Sequence, residues 1–70
     1  MRKMLNYYKG FVANKSVIRY DDILYLFHGA FVSPKSKKIK LVVSNLYNDK
    51  MRFIHNKDLN KVFLEYNLKD

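Results

Sequence analysis

The feature that most limits what this chain can fold into is an absence: no cysteine occurs in its 70 residues. Disulfides and thiolate metal sites are excluded. A chain this short buries only about 60% of the surface its unfolded form exposes, so packing density or a partner must hold it together. Hydrophobic residues make up 49% of the sequence and aromatics 16%, with six Tyr, five Phe and no Trp. That is enough for one core and too much for a disordered chain, and residues 1–70 read as a single domain. The lack of cysteine suits a reducing compartment. After Met1-Arg2-Lys3, Asn6, Lys9 and Asn14 interrupt any signal-like apolar stretch, and the longest apolar run, Ile23 to Phe27, falls far short of the ~20 residues that cross a bilayer. The expectation is a cytoplasmic protein with no membrane partner.

Gly10, Gly29 and Pro34 are the only glycines and proline, so turns must be read from polar clusters. Asn14-Lys15-Ser16, Ser33 to Lys38, and Asn48-Asp49-Lys50 each lie between β-branched and aromatic residues. The segments between them read as strands: Leu5–Ala13 with a bend at Gly10, Ser16–Tyr20, Ile23–Val32, and a hairpin of Ile39–Tyr47 with Met51–His55. Residues 22–31 admit two readings. Asp21 could cap a helix with Ile23, Leu24, Phe27, Ala30 and Phe31 on one face, while the aromatic and β-branched content and Gly29 favour a strand. At the C-terminus Leu59, Val62, Phe63 and Tyr66 fall at i, i+3, i+4 and i+7, which predicts a helix capped by Asn56, with Asp58 in its first turn and Tyr66 in the core. The expected fold class is α+β: a small antiparallel sheet of four to five strands with a C-terminal helix packed on it.

Fourteen Lys and Arg against six Asp and Glu give a formal charge of +8. A field of one sign on so small a body favours anionic partners: nucleic acid, an acidic protein surface or an anionic membrane. Lys, Asn, Ile and Tyr are also what an AT-rich genome encodes, which explains part of the charge without a partner. Eleven cations are Lys and three are Arg (Arg2, Arg19, Arg52). Lys acts on phosphate as a point charge, whereas Arg forks onto guanine, so backbone contact should outweigh base reading.

Lys35, Lys37, Lys38 and Lys40 put four cations within six residues on a turn entering a strand. Such a turn can track phosphates, with Arg19, Arg52 and also Arg2 and Lys3 extending the surface and Phe53 turned inward. The competing reading is a solvated turn whose lysines discourage edge pairing. Tyr7, Tyr8 and Tyr47 are candidate platforms for bases or a protein partner, although packing within the sheet is the commoner fate of Tyr.

Signals for chemistry are sparse. His28 and His55 are far apart and have no second ligand at metal-binding spacing, so no metal and no cofactor is expected. Asp21 and Asp22 are adjacent, so on an extended chain they face opposite ways and suit a turn or cap better than paired acid and base. A small metal-independent ribonuclease using either His with Tyr and Lys is chemically conceivable, but no spacing demands it.

The segment Val17-Ile18-Arg19-Tyr20-Asp21-Asp22-Ile23-Leu24-Tyr25-Leu26 resembles the strand-Asp-Asp-Ile-x-Tyr-Leu signature near the start of LytTR-type DNA-binding domains. Lys38-Ile39-Lys40-Leu41-Val42-Val43 is similar to that family's next strand, and Asp58-Leu59-Asn60-Lys61-Val62-Phe63 to its short helix. The resemblance spans residues 16 to 66 and implies DNA binding. The chain holds no counterpart of the family's DNA-reading basic-His-Arg segment, so no contact residue transfers. The expected function is that of a small, basic, non-catalytic protein binding nucleic acid through its lysines, in the style of a phage or mobile-element accessory protein. The alternative is an inhibitor or adaptor that targets an acidic surface of a host protein. Homodimerisation through an open sheet edge is compatible with both.

Overall fold

The structure, a computed structural model, describes residues 3–69, with Lys3 described by its backbone. Eight strands follow one another along the described residues: β1 (Lys3–Leu5), β2 (Tyr7–Tyr8), β3 (Phe11–Val12), β4 (Ser16–Tyr20), β5 (Ile23–Val32), β6 (Ile39–Asn45), β7 (Met51–Ile54) and β8 (Phe63–Asn67). A 3-10 helix covers Asn56–Lys61 between β7 and β8. The main sheet runs β7-β6-β5-β4-β8, and β1 pairs with the second half of β5. Every pairing is antiparallel.

Two tight turns shape the chain. Asp21 and Asp22 both have positive φ, 58° and 62°, in a two-residue loop closing Tyr20 onto Ile23. This is the type I′ geometry whose twist matches antiparallel strands, and Asp tolerates it because its short polar side chain bonds locally. Lys9 and Gly10 repeat the pattern between Tyr8 and Phe11, with φ of 45° and 92°. The expected strand over Leu5–Ala13 is therefore broken: β1 joins the main sheet, and β2 and β3 fold back as a separate hairpin.

Residues 23–32 are one long strand. Its register with β6 shifts between Phe27 and Gly29, leaving His28 as the extra residue of a bulge. The bulge restarts the in-out alternation, so Tyr25, Phe27 and Ala30 all face the core. The three-residue step from Phe27 to Ala30 gave the segment its helix-like spacing. At Gly29, with φ 156°, a Cβ would overlap Met4 Cε and sit 3.0 Å from the Leu5 carbonyl oxygen.

The two faces of the sheet differ. One is covered: Ile18, Tyr25, Phe27, Ala30, Leu41, Val43 and Ile54 pack beneath Phe11 of the hairpin and Val62 of the β7–β8 connection. Phe11 meets Phe27 edge-on, with ring centroids 5.7 Å apart. Each large side chain buried here contributes about 1.5–3 kcal/mol of transfer free energy.

The expected C-terminal helix does not form, so the fold is mostly antiparallel sheet and not α+β. Asn56 caps no helix; its Oδ1 accepts a hydrogen bond from the Ile39 N–H at 3.2 Å. Tyr20 donates to Asp58 Oδ2 at 3.0 Å, anchoring the 3-10 turn to β4. The apolar set then splits. Leu59 and Val62 cover the core, while Phe63 to Asn67 pair with β4, leaving Phe63 61% and Tyr66 47% exposed. The backbone of β4 decides between the alternatives, because its outer N–H and C=O groups need partners and β8 supplies them. Leu68 N–H continues the pairing to the Lys15 carbonyl at 2.7 Å. Among the described residues no helix is long and apolar enough to cross a membrane.

Candidate functional site

Antiparallel order sorts the turns, and with them the charge, to opposite ends of the sheet. The β4–β5 turn carries Asp21 and Asp22, and the β6–β7 turn carries Asp49 beside Lys50. These two turns lie side by side, tied by Leu46 N–H to the Leu24 carbonyl at 3.2 Å. The β5–β6 turn lies at the other end and holds Lys35, Lys37 and Lys38, with Lys40 just inside β6 and Lys57 at the nearby start of the 3-10 helix. Backbone bonds brace it: Lys37 N–H to the Ser33 carbonyl at 2.8 Å and Ser33 N–H to the Lys38 carbonyl at 3.0 Å. Lys37 takes positive φ, 58°, to complete the reversal. The ion pairs of the described residues, Arg19 with Glu65 at 2.8 Å and Lys61 with Asp58 at 3.9 Å, involve none of the turn lysines.

Beneath this turn lies a cleft of about 400 Å³. It is lined by Phe31, Val32, Pro34 and Ile39, by His55 and Asn56, and by Lys38, Lys40 and Lys57, with no carboxylate among its described lining residues. Phe31 and Lys40 are cross-strand partners, so they project from the same side of the sheet. That side is the uncovered one. Val17 and Val42 are buried within it, but Met4, Met51, Phe53, Phe63 and Tyr66 are 45–62% exposed. The Lys40 ammonium lies 4.4 Å from the centroid of the Phe53 ring, a cation–π contact on an exposed strand.

The structure brings Lys35, Lys37, Lys38 and Lys40 together and places the other candidates elsewhere. Arg52 pairs with Val43, which puts it on the covered side. Its guanidinium donates to Tyr25 Oη at 2.8 Å and stacks 5.0 Å from the centre of the Tyr20 ring, so it braces the fold instead of extending the lysine surface. The bond to Tyr25 also raises its pKa above the ordinary guanidinium value. The same register turns Phe53 outward, the reverse of the inward placement expected from sequence. Arg19 is paired with Glu65 at 2.8 Å. Lys3 approaches the basic end through its backbone pairing with Val32, and Arg2 lies outside the described residues.

Tyr7 is 60% exposed on β2, Tyr8 packs against the core beside Phe11, and Tyr47 is 96% exposed in the β6–β7 turn, at the acidic end and away from the lysines. Tyr20 is half-buried, and its hydrogen bond to Asp58 raises its phenol pKa above the ordinary 10.0. Ile54 carried the signal that sequence reasoning missed at Phe53. With Ile54 buried in the core, alternation turns Arg52 inward and Phe53 outward.

His28 uses both ring nitrogens, Nδ1 with Asn14 Oδ1 at 2.9 Å and Nε2 with Ser44 Oγ at 2.7 Å. Since Asn14 Oδ1 only accepts, the proton sits on Nδ1, and in the neutral ring Nε2 accepts from the Ser44 hydroxyl. The order serine, histidine, amide matches nucleophile, base and orienter, but Ser44 is buried within β6. Its hydroxyl serves to pin the bulge to the neighbouring strand. His55 lies at the cleft, and no cluster of three metal-ligating side chains occurs among the described residues. Comparison of the chain with family models, curated proteins and solved structures finds no match.

Proposed function

We propose that the protein is a non-catalytic nucleic-acid-binding domain whose contact surface is the basic end of the sheet. The observation carrying this reading is the uneven distribution of charge along the strands: Lys35, Lys37, Lys38, Lys40 and Lys57 gather at one end, while the turns at the other hold Asp21, Asp22 and Asp49 with Lys50 as their one lysine. A net charge of +8 spread evenly would be explained by composition alone. Five of the fourteen cations gathered at one end make a directional field that orients an approaching polyanion. The mechanism is neutralisation of phosphates by ammonium groups that have no carboxylate partner among the described residues.

The test separates position from net charge. Fluorescence anisotropy with labelled single- and double-stranded DNA and RNA compares wild type with two variants of equal charge. One changes Lys35, Lys37, Lys38 and Lys40 to Ala; the other changes Lys9, Lys50, Lys61 and Lys69 to Ala. The first should bind at least ten-fold more weakly than the second. Equal losses refute the assignment of the surface, and no binding by wild type at low salt refutes the function.

A second reading, an adaptor or inhibitor on an acidic protein surface, is favoured by one observation: β7 and β8 are both open sheet edges, and β8 exposes Phe63, Leu64 and Tyr66. An open edge adds a partner strand through main-chain hydrogen bonds. A 1:1 complex that survives salt and is broken by proline substitutions in β8 would favour this reading.

A further inference from the structure

Resting on the nucleic-acid reading above, we propose that the ligand is bound single-stranded, with an unpaired base stacked on the Phe53 ring while Lys40 moves onto its phosphate. Phe53 is 48% exposed on the uncovered side of an edge strand. Its ring is held by the Lys40 ammonium at 4.4 Å, and the cross-strand partner of Lys40 is Phe31, which lines the cleft at the lysine turn. One lysine therefore links two aromatic rings to a cluster of cations.

Charge complementarity selects the occupant. An apolar protein surface laid on Phe53 would desolvate the Lys40 ammonium without supplying a counter-charge. Duplex DNA supplies phosphates but keeps its base faces stacked inside. A single strand brings a phosphate with every base and an exposed π-face for the ring, so both halves of the site are met by one repeating unit. Lys40 is the pivot: the cation–π contact is exchanged for a phosphate contact, which frees the ring face for the base. One strand, β6, separates Phe31 from Phe53, two inter-strand spacings or about 10 Å across the sheet, so a second base can reach the cleft.

Phe53→Trp supplies the test, because the chain contains no other Trp. Its emission is followed while an oligothymidylate, or a fully abasic oligomer of the same length and phosphate count, is added to the 70-residue protein. The proposal predicts quenching by the oligothymidylate only, and affinity for it about ten-fold above that for the abasic strand. Phe53→Leu, which keeps an apolar side chain on β7, should bind both oligomers with the affinity wild type shows for the abasic one. Equal binding and equal emission with the two oligomers overturn base stacking while leaving electrostatic binding intact. Duplex bound more tightly than single strand also overturns it. Failure to bind either oligomer overturns the functional reading on which it rests.

Discussion

Replacing Ser16 with Ala removes one oxygen and tests the least expected part of the fold. Ser16 is fully buried, its Oγ accepts the Val12 N–H at 2.7 Å, and its hydroxyl donates to Asn67 Oδ1 at 2.5 Å. One hydroxyl thus joins β3, β4 and β8. In the variant the Val12 N–H faces a methyl group, and a buried donor left unpaired costs about 1–3 kcal/mol. Asn67 is exposed and regains water, so its share is small. A loss of about 2 kcal/mol is a large part of the roughly 4–10 kcal/mol total expected for a domain this size. It should lower Tm by about 8–16 °C, read by circular dichroism. Asn67→Ala alone should cost about 1 kcal/mol, and the double variant should fall short of the sum by about 1 kcal/mol, because the shared bond can be lost only once. A C-terminal helix would carry Asn67 away from Ser16 and leave the two effects additive. Additivity within about 0.3 kcal/mol would refute the strand assignment of β8.

Three further outcomes follow from the geometry. Asp22→Gly should stabilise the protein by about 0.5–1 kcal/mol in urea denaturation, since Asp22 holds positive φ in a type I′ turn that glycine occupies without strain. Gly29→Ala should destabilise it by about 1–3 kcal/mol, from positive φ and the overlap with Met4; adding Met4→Ala should recover only part, because the Leu5 carbonyl remains close. Tyr20 has a raised folded pKa because its phenol donates to Asp58, so the stabilisation is complete below the unfolded value near 10.0 and is lost as pH rises through the folded one. Melting temperatures between pH 9 and 11 should therefore fall more steeply for wild type than for Tyr20→Phe.

What could be read from the sequence was local, and what could not was set by distant partners. The Ser16–Tyr20 and Ile23–Val32 strands and the turn between them follow from β-branched residues, aromatics and the Asp-Asp pair. The lysine turn is likewise a property of contiguous residues. The C-terminal segment is different: Leu59, Val62, Phe63 and Tyr66 satisfy helical spacing, yet β4 needs a neighbour and the chain returns to supply it. Tyr66 consequently lies exposed on the open face and not in the core. Arg52 misled for a related reason. A charged residue on a two-sided strand suggests solvent, but the Tyr20 and Tyr25 side chains give its guanidinium a place on the covered side. The His28 bulge imitated a helix because one inserted residue converts a two-residue period into a three-residue step.

The salt dependence of oligothymidylate binding tests whether the lysine end is the nucleic-acid surface. Plotted as log K against log salt, wild type should give a steep negative slope. The variant with Lys35, Lys37, Lys38 and Lys40 changed to Ala should be shallower by about 3, since each phosphate contact on a single strand contributes about 0.7. Identical slopes for the two proteins would contradict the assignment, and a wild type that does not bind at low salt would contradict the function itself.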